Sequence, residues 1–233
     1  TLVDGSGFVD QISSVEVVIG SEFTDLVTGS SASEVLIGGS GDDTLFGGGG
    51  SDILIGGKAN ELVGQEADVA IFVGTKGSYE FGVDATGSLT VTSKVTDSID
   101  IVKGIETLLF DDGPLTVHQS SPGGLFTLTG TDGADDVVEV QSDVGFVLKG
   151  EAGADTLIGG GGDDTLIGGG GEDVVDGGAG SDEIELDGTL GVTAEGGDGS
   201  DTVFLVGETN AASLSGVETV IGGVGSDSLT IST

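Results

Sequence analysis

Residues 38–46 read GGSGDDTLF and residues 47–55 read GGGGSDILI. The two blocks align without a gap, so the period is nine. Glycine stands at positions one, two and four, aspartate at six and an aliphatic residue at eight. Working outward, GSSASEVLI (29–37), GSEFTDLVT (20–28) and GGKANELVG (56–64) are degenerate copies. A second array reads GEAGADTLI (150–158), GGGGDDTLI (159–167), GGGGEDVVD (168–176) and GGAGSDEIE (177–185). GGDGSDTVF (196–204) and GGVGSDSLT (222–230) follow at altered spacing. A unit this short cannot bury an apolar face alone and must stack on its neighbours.

Each position has a physical reading. Glycine accepts positive φ and close backbone approach. The first half of the repeat is therefore a tight turn whose carbonyls can point at an ion. The last three residues make a short strand, with alternate side chains on opposite faces. Position eight faces inward: Val27, Leu36, Leu45, Leu54 and Val63, then Leu157, Leu166, Val175 and Ile184. Position six sets a carboxylate at the turn exit. Two nonapeptides make one coil of a flattened right-handed roll, so carboxylates one coil apart stack on one edge. Asp25, Asp43 and Glu61 fall on one edge of the first array, Glu34 and Asp52 on the other. In the second array Asp155 pairs with Asp173, and Asp164 with Asp182. The expected fold is all-β: a parallel β-roll, or β-solenoid, of nonapeptides in two arrays with a β-strand capping segment between them.

The charge points the same way. With 41 acidic residues against five Lys, the formal net charge is -36, and a compact fold repels itself. Such a chain is disordered, adapted to high salt, or built to hold cations. Regularly spaced Val, Ile and Leu argue against disorder. Adaptation to salt would scatter the acids evenly, whereas here they recur beside glycines. The sign of the charge disfavours nucleic acid and anionic membrane as partners. No apolar run is long enough for a transmembrane helix. With no Cys and one His there are no disulfides and no softer-metal site. Calcium takes about 6–8 hard oxygen ligands at flexible geometry, while magnesium holds to octahedra and keeps its water. Several Ca2+ ions are therefore expected, each between stacked turns. One buried aliphatic per nine ordered residues returns little against the entropy of ordering them. The arrays are expected to be unfolded without calcium and to fold on binding it.

Fidelity to the repeat varies. Lys58, Ala59 and Asn60 replace the consensus at the end of the first array, where site quality should fall. Phe23 and Ala32 take the place of the position-four glycine, and those turns read as half-sites.

Residues 65–119 change character. ADVAIFVG, SYEFGV, SLTVTS and IETLLF read as strands joined by turns, and four of the five Lys lie in or beside them. This stretch reads as a β cap without calcium, closing the open end of the first roll. The expected units are residues 1–119, with repeats at about 20–64 and the cap at 65–119, and residues 120–233. The second holds repeats at about 130–204, a C-terminal strand segment and the start of a further repeat. A longer echo supports that last point: ISSVEVVIGSEFTDLV (12–27) resembles LSGVETVIGGVGSDSL (214–229). Lys103-Gly104-Ile105-Glu106-Thr107-Leu108 likewise resembles Ser215-Gly216-Val217-Glu218-Thr219-Val220. The chain reads as a piece of a longer repetitive protein.

The nonapeptides, which cover about half the chain, resemble the RTX family of type I-secreted bacterial proteins. The resemblance implies a parallel β-roll with calcium between successive turns, held by the position-six Asp and by glycine-turn carbonyls. It implies export of an unfolded chain that folds outside, where calcium is plentiful. Carried onto this sequence, the ligand turns are Gly38, Gly39 and Gly41 with Asp43, and Gly47, Gly48 and Gly50 with Asp52. In the second array they are Gly153 with Asp155; Gly159, Gly160 and Gly162 with Asp164; and Gly168, Gly169 and Gly171 with Asp173. Gly177, Gly178 and Gly180 with Asp182, and Gly197 and Gly199 with Asp201, complete the series. Asp25 and Asp227 are further candidates, and Glu34 and Glu61 depart from the Asp consensus. The G-[IV]-E-T strands beside these blocks also resemble surface-layer proteins and large adhesins.

Nothing in the sequence reads as a catalytic site. His118 sits in a polar stretch, VHQSSPGG, that reads as a linker. Trp is absent and Tyr79 is the only tyrosine, so the sugar-stacking aromatics of a glycosidase are missing. The glycine runs lack the Lys of a P-loop. No Asp-Pro bond exists, which disfavours a self-cleaving module. The expected role is a non-enzymatic, secreted calcium-binding module of a bacterial cell-surface layer or adhesin. The alternative is a calcium-folding tail that aids secretion of a separate enzyme or toxin. Partners beyond calcium are expected to be further copies or neighbouring domains of a longer chain.

Overall fold

The computed structural model describes residues 2–3, 9–10, 15–57, 66–119, 121, 123–134, 138–187, 191–207 and 210–232. The chain divides into two compact units, Thr1–His118 and Gln119–Thr233. Both are parallel β-solenoids, and one short 3-10 turn at Lys76–Ser78 is the helical element among the described residues.

In the first unit, one run of strands lies in the order Val9–Asp10, Leu2–Val3, Leu26–Thr28, Thr44–Phe46, Val69–Ile71, Thr107–Phe110, Gly113–Gln119. The facing sheet runs Val17–Ile19, Val35–Ile37, Ile53–Ile55, Ile99–Lys103, Leu89–Ser93, Tyr79–Val83. Consecutive repeats alternate between the two sheets, so strands one coil apart are the ones that pair. Val35, Leu36 and Ile37 lie opposite Ile53, Leu54 and Ile55 in parallel register. In the second unit one sheet is Phe126–Thr129, Val147–Lys149, Thr165–Gly170, Glu183–Asp187, Thr202–Leu205, Thr219–Ile221. The other is Val138–Glu139, Thr156–Gly160, Val174–Gly180, Val192–Gly199, Ala211–Ser215, Ser228–Ser232. Among the described residues of this second unit the strands pair in parallel, as in Leu148 to Leu166 to Ile184 to Val203.

The core is a single layer between the sheets. Val27, Leu36, Leu45, Leu54, Leu157, Leu166, Val175 and Ile184 are each at most 1% exposed, which places position eight inside. Val63 lies outside the described residues. Val35–Ile37, Thr44–Phe46 and Ile53–Ile55 each bury the middle residue and leave its neighbours half-covered, the alternation a pleated strand imposes.

The segment read as a cap proves to be two structures. Val69–Ile71 pairs in parallel with Thr44–Phe46 and Thr107–Phe110, and Ile99–Lys103 pairs in parallel with Ile53–Ile55. These strands continue the coil. Asp68-Val-Ala-Ile keeps the strand half of the repeat, a carboxylate two residues before a buried apolar one, after the glycine turn has gone. What terminates the coil is antiparallel: Leu89–Ser93 joins Tyr79–Val83 to Ile99–Lys103, and Gly113–Gln119 folds back on Thr107–Phe110. Phe72, Tyr79 and Phe110 meet there with ring centroids 5.3–5.5 Å apart, and Phe81 stands edge-on to Phe110. Tyr79 Oη donates to the Val73 carbonyl at 2.6 Å, so the buried phenol is satisfied. Lys76 is fully buried and its ammonium lies 3.5 Å from Asp112.

Candidate metal centre

The turns between strands carry the carboxylates inward. Asp25, Asp43, Asp52, Asp155, Asp164, Asp173, Asp182 and Asp201 are at most 2% exposed, and Glu34 is 9% exposed. One carboxylate oxygen of each rung has a structural task. Asp43 Oδ1 accepts the backbone N–H of Asp25 at 2.8 Å, one coil earlier. Asp52 Oδ1 accepts from Glu34 at 2.9 Å on the opposite edge. In the second unit Asp164 Oδ1 accepts from Phe146 at 2.6 Å, Asp182 Oδ1 from Asp164 at 2.8 Å and Asp201 Oδ1 from Asp182 at 2.9 Å. Asp173 Oδ1 accepts from Asp155 at 3.1 Å on the other edge. Of the pairs expected from an eighteen-residue spacing, Asp25 with Asp43, Glu34 with Asp52, Asp155 with Asp173 and Asp164 with Asp182 are brought together.

The other oxygen is left over. Oδ2 of Asp43, Asp52, Asp164, Asp173, Asp182 and Asp201 is buried without a hydrogen-bond partner. A buried polar atom in that state is costly, and a charged one more so. Each points into a cradle beside the position-one glycine. A Cβ on Gly38 would lie 2.3 Å from Asp43 Oδ2, and one on Gly47 2.3 Å from Asp52 Oδ2. At Gly177 the same point is 2.4 Å from Asp182 Oδ2 and 2.6 Å from the Gly196 carbonyl of the next coil. At Gly159 it is 2.5 Å from Asp164 Oδ2 and 2.6 Å from the Gly177 carbonyl. Gly168 repeats this with Asp173 Oδ2 at 2.7 Å. The glycines at positions two and four serve stacking. Gly178 and Gly180 have φ of 96° and 134°, and a side chain on either would run into a carbonyl of the coil before it. Gly39, Gly41, Gly48, Gly50, Gly153, Gly160, Gly169, Gly171, Gly197 and Gly199 have the same positive φ, while Gly162 packs against the Gly145 backbone.

Burial dominates the electrostatics. It pushes Asp43 up to about 6 and Asp164 to about 7, with the neighbouring rung's charge adding to the rise, and it raises Asp52, Asp173 and Asp182. Hydrogen bonds from the preceding backbone oppose this without cancelling it.

The donor set fits a hard cation. It consists of carboxylate and carbonyl oxygens, in a cradle too tight for a Cβ. Among the described residues no three His, Cys, Asp or Glu side chains gather at one point. An ion here would take one or two carboxylates and complete its shell from glycine-turn carbonyls, a mixture calcium accepts.

The degenerate turns solve the problem differently. Ser21, at position two, donates its N–H and hydroxyl to Asp25 Oδ2. Ser30 does the same for Glu34, through N–H to Oε2 at 2.8 Å and hydroxyl to Oε1. Serine thus occupies both oxygens of Glu34 and Oδ2 of Asp25, while Asp25 Oδ1 stays buried without a partner. Glu61 and Lys58–Asn60 lie outside the described residues. The rung expected of Glu61 is filled by Asp68, whose Oδ1 accepts the Asp43 N–H at 2.7 Å. Asp227 pairs with an asparagine: its Oδ1 accepts from Asn210 N at 3.2 Å and Nδ2 at 2.9 Å.

Four ladder residues escaped the sequence reading. Asp100 Oδ1 accepts the Asp52 N–H at 2.7 Å, Glu106 Oε2 the Asp68 N–H at 3.0 Å and Glu218 Oε2 the Asp201 N–H at 2.8 Å. Asp68 is the fourth. Burial raises Asp68 to about 7 and Asp100 to about 6. The signal that finds them is an acid two residues before an inward apolar residue, as in Asp68/Ala70, Asp100/Val102, Glu106/Leu108 and Glu218/Val220.

Fold and site together define a parallel β-solenoid with stacked carboxylate–glycine cradles. The model of the RTX calcium-binding nonapeptide repeat (4 copies) matches two segments, residues 28–60 and 149–184. These two segments are RTX calcium-binding nonapeptide repeats. No curated protein matches the chain. Among solved structures it is similar to the extracellular lipase LipA from Serratia marcescens, at 21% identity and a TM-score of 0.39. That likeness covers 91% of this chain and 33% of the lipase, so the chain spans about a third of that protein's length.

Proposed function

We propose that this chain is a calcium-folded structural module of a secreted protein, built into a bacterial surface layer or adhesin. The observation that carries the calcium reading is the buried, partnerless Oδ2 of Asp43, Asp52, Asp164, Asp173, Asp182 and Asp201, each against a glycine cradle. The residues that would hold the ions are Asp43, Asp52, Asp155, Asp164, Asp173, Asp182 and Asp201, with carbonyls of the glycine turns. Glu34 is a weaker candidate because Ser30 holds both its oxygens, and Asp25 and Asp227 follow because Ser21 holds Oδ2 of the first and Asn210 holds Oδ1 of the second. A bound cation supplies the positive charge that the fold itself lacks.

The chain's own residues do the remaining work. Position-one glycines leave room for the ion, position-eight aliphatics close the layer, and Oδ1 of each rung fixes the coil before it. Charge repulsion keeps the chain extended where calcium is scarce, which suits export before folding.

Circular dichroism in calcium and in excess chelator tests the folding claim. Strand signal that appears with calcium supports it, and native strand signal in chelator overturns it. Sedimentation in saturating calcium tests the surface role. Association into sheets or filaments is expected of a layer component, whereas a persistent monomer favours a folding tail on a secreted enzyme.

A further inference from the structure

The two units share a short motif that the nonapeptide pattern does not account for. Lys103-Gly104-Ile105-Glu106-Thr107 and Ser215-Gly216-Val217-Glu218-Thr219 each follow a glycine cradle. In a full repeat, four residues lie between the position-one glycine and its acid, as in Gly38 and Asp43. Here one does, as in Gly104 and Glu106.

The shortened loop still reaches the same place. The Gly104 carbonyl lies 2.1 Å from the point a Cβ on Gly56 would occupy, beside Asp68 Oδ2 at 2.4 Å. The Gly216 carbonyl lies 2.1 Å from the equivalent point on Gly196, beside Asp201 Oδ2 at 2.8 Å. Gly104 and Gly216 both have a φ of 56°. Glu106 and Glu218 both hold the N–H of the preceding rung's Asp. Glutamate's extra methylene makes up reach that the missing residues would have supplied. An independent observation marks the cradle as a ligand site: Asp201 is 0% exposed and its Oδ2 has no hydrogen-bond partner.

We propose that each G-[IV]-E-T strand supplies the closing half of a calcium site: in the first unit an additional one, formed by Asp68, Gly104 and Glu106, and in the second the Asp201 site, closed by Gly216 and Glu218. All six residues lie outside the segments matched by the repeat family. The inference rests on the calcium reading of the ladders and extends it to a turn with no glycine loop of its own. In the first unit the strand also ends the series. The Glu106 N–H returns to the Asp68 carbonyl at 3.2 Å, and the next strand, Gly113–Gln119, runs antiparallel.

The test counts calcium bound to the full chain by equilibrium dialysis, for wild type, Glu106→Gln, Glu218→Gln and the double substitution. Glutamine keeps an oxygen to accept the Asp N–H and loses the charge. Each single change is expected to remove one ion at saturation, or to weaken one site at least tenfold, with strand content retained. A double variant with the wild-type count and midpoint overturns the proposal. A wild-type chain that neither binds calcium nor folds with it overturns the underlying reading instead. Should the glutamine pair fail to fold, the Glu106→Asp, Glu218→Asp pair carries the count. Its shorter arm keeps the charge and weakens both terminal sites, and an Asp pair indistinguishable from wild type overturns the proposal.

Discussion

Replacing Asp164 with Asn should change the sign of its effect with calcium. Oδ1 of Asp164 accepts the Phe146 N–H at 2.6 Å, a bond asparagine can keep. Oδ2 is the partnerless atom in the cradle of Gly159 and the Gly177 carbonyl. Asparagine puts an uncharged N–H2 donor there. Burial lifts the Asp164 carboxyl from 3.8 to about 7. At roughly 1.36 kcal/mol per pH unit, holding it ionised in the metal-free fold costs about 4 kcal/mol. Water reaching the turn at exposed Gly161 and Asp163 screens the charge and brings the expected figure to about 2 kcal/mol. At pH 8 in chelator, Asp164→Asn should therefore favour folding by about 2 kcal/mol. A stabilising osmolyte brings the metal-free transition into range. In calcium the same change removes a charged ligand and should raise the calcium midpoint on the order of tenfold, about 1.4 kcal/mol. Circular dichroism titrations of both chains, against osmolyte in chelator and against calcium, read the two signs. Destabilisation of equal size in both conditions would refute the reasoning, because it would make Asp164 an ordinary buried hydrogen-bonding group.

Other perturbations follow from the same geometry. Gly177→Ala puts a methyl 2.4 Å from Asp182 Oδ2 and should raise the calcium midpoint for folding at least tenfold. Gly170→Ala meets nothing within 4 Å and should stay within about 0.5 kcal/mol of wild type in thermal melts. Ser30→Ala removes the hydroxyl partner of Glu34 and should cost about 1 kcal/mol in calcium-loaded urea melts, with the number of bound ions unchanged. The carboxyls of Asp43, Asp68, Asp100 and Asp164 sit at about 6 to 7 in the metal-free fold, above their unfolded value of 3.8. Their contribution to stability is full below about pH 4 and is lost as pH rises through 6 to 7. Acidifying the chelated chain from pH 8 to 4.5 should therefore increase its strand signal, and a signal flat across that window contradicts it.

The coil was legible where glycine and strand halves of the repeat occur together. From Gly20 to Gly56 and from Gly150 to Glu185, the period alone places the inward aliphatics and pairs the carboxylates. Beyond these stretches the strand half persists without the turn. Asp68 follows Asp43 by 25 residues and Asp100 follows Asp52 by 48, because inserted chain separates rungs that remain adjacent in space. A nine-residue ruler loses its phase across such insertions, and the acid–x–apolar triplet is too short to identify without them. Glu106 and Glu218 were visible as a recurring motif, yet only the register of their strands reveals that they face the preceding rung. Asn210 carries no charge to draw notice, although it occupies a carboxylate's place opposite Asp227.

The hydrogen bonds to the ladder carboxylates have a direction. In each pair the donor is the earlier residue and the acceptor the later one: Asp25 to Asp43, Asp164 to Asp182, Asp182 to Asp201. A coil thus borrows its closing acceptor from chain synthesised after it. Order should spread backwards along the polypeptide, from late coils to early ones. Truncating the last rung would unsettle its predecessor by removing a carboxylate acceptor, whereas trimming the first would remove no carboxylate acceptor from the rung that follows. Amide exchange across a truncation series would record that asymmetry, and equal loss of protection from either end would exclude it.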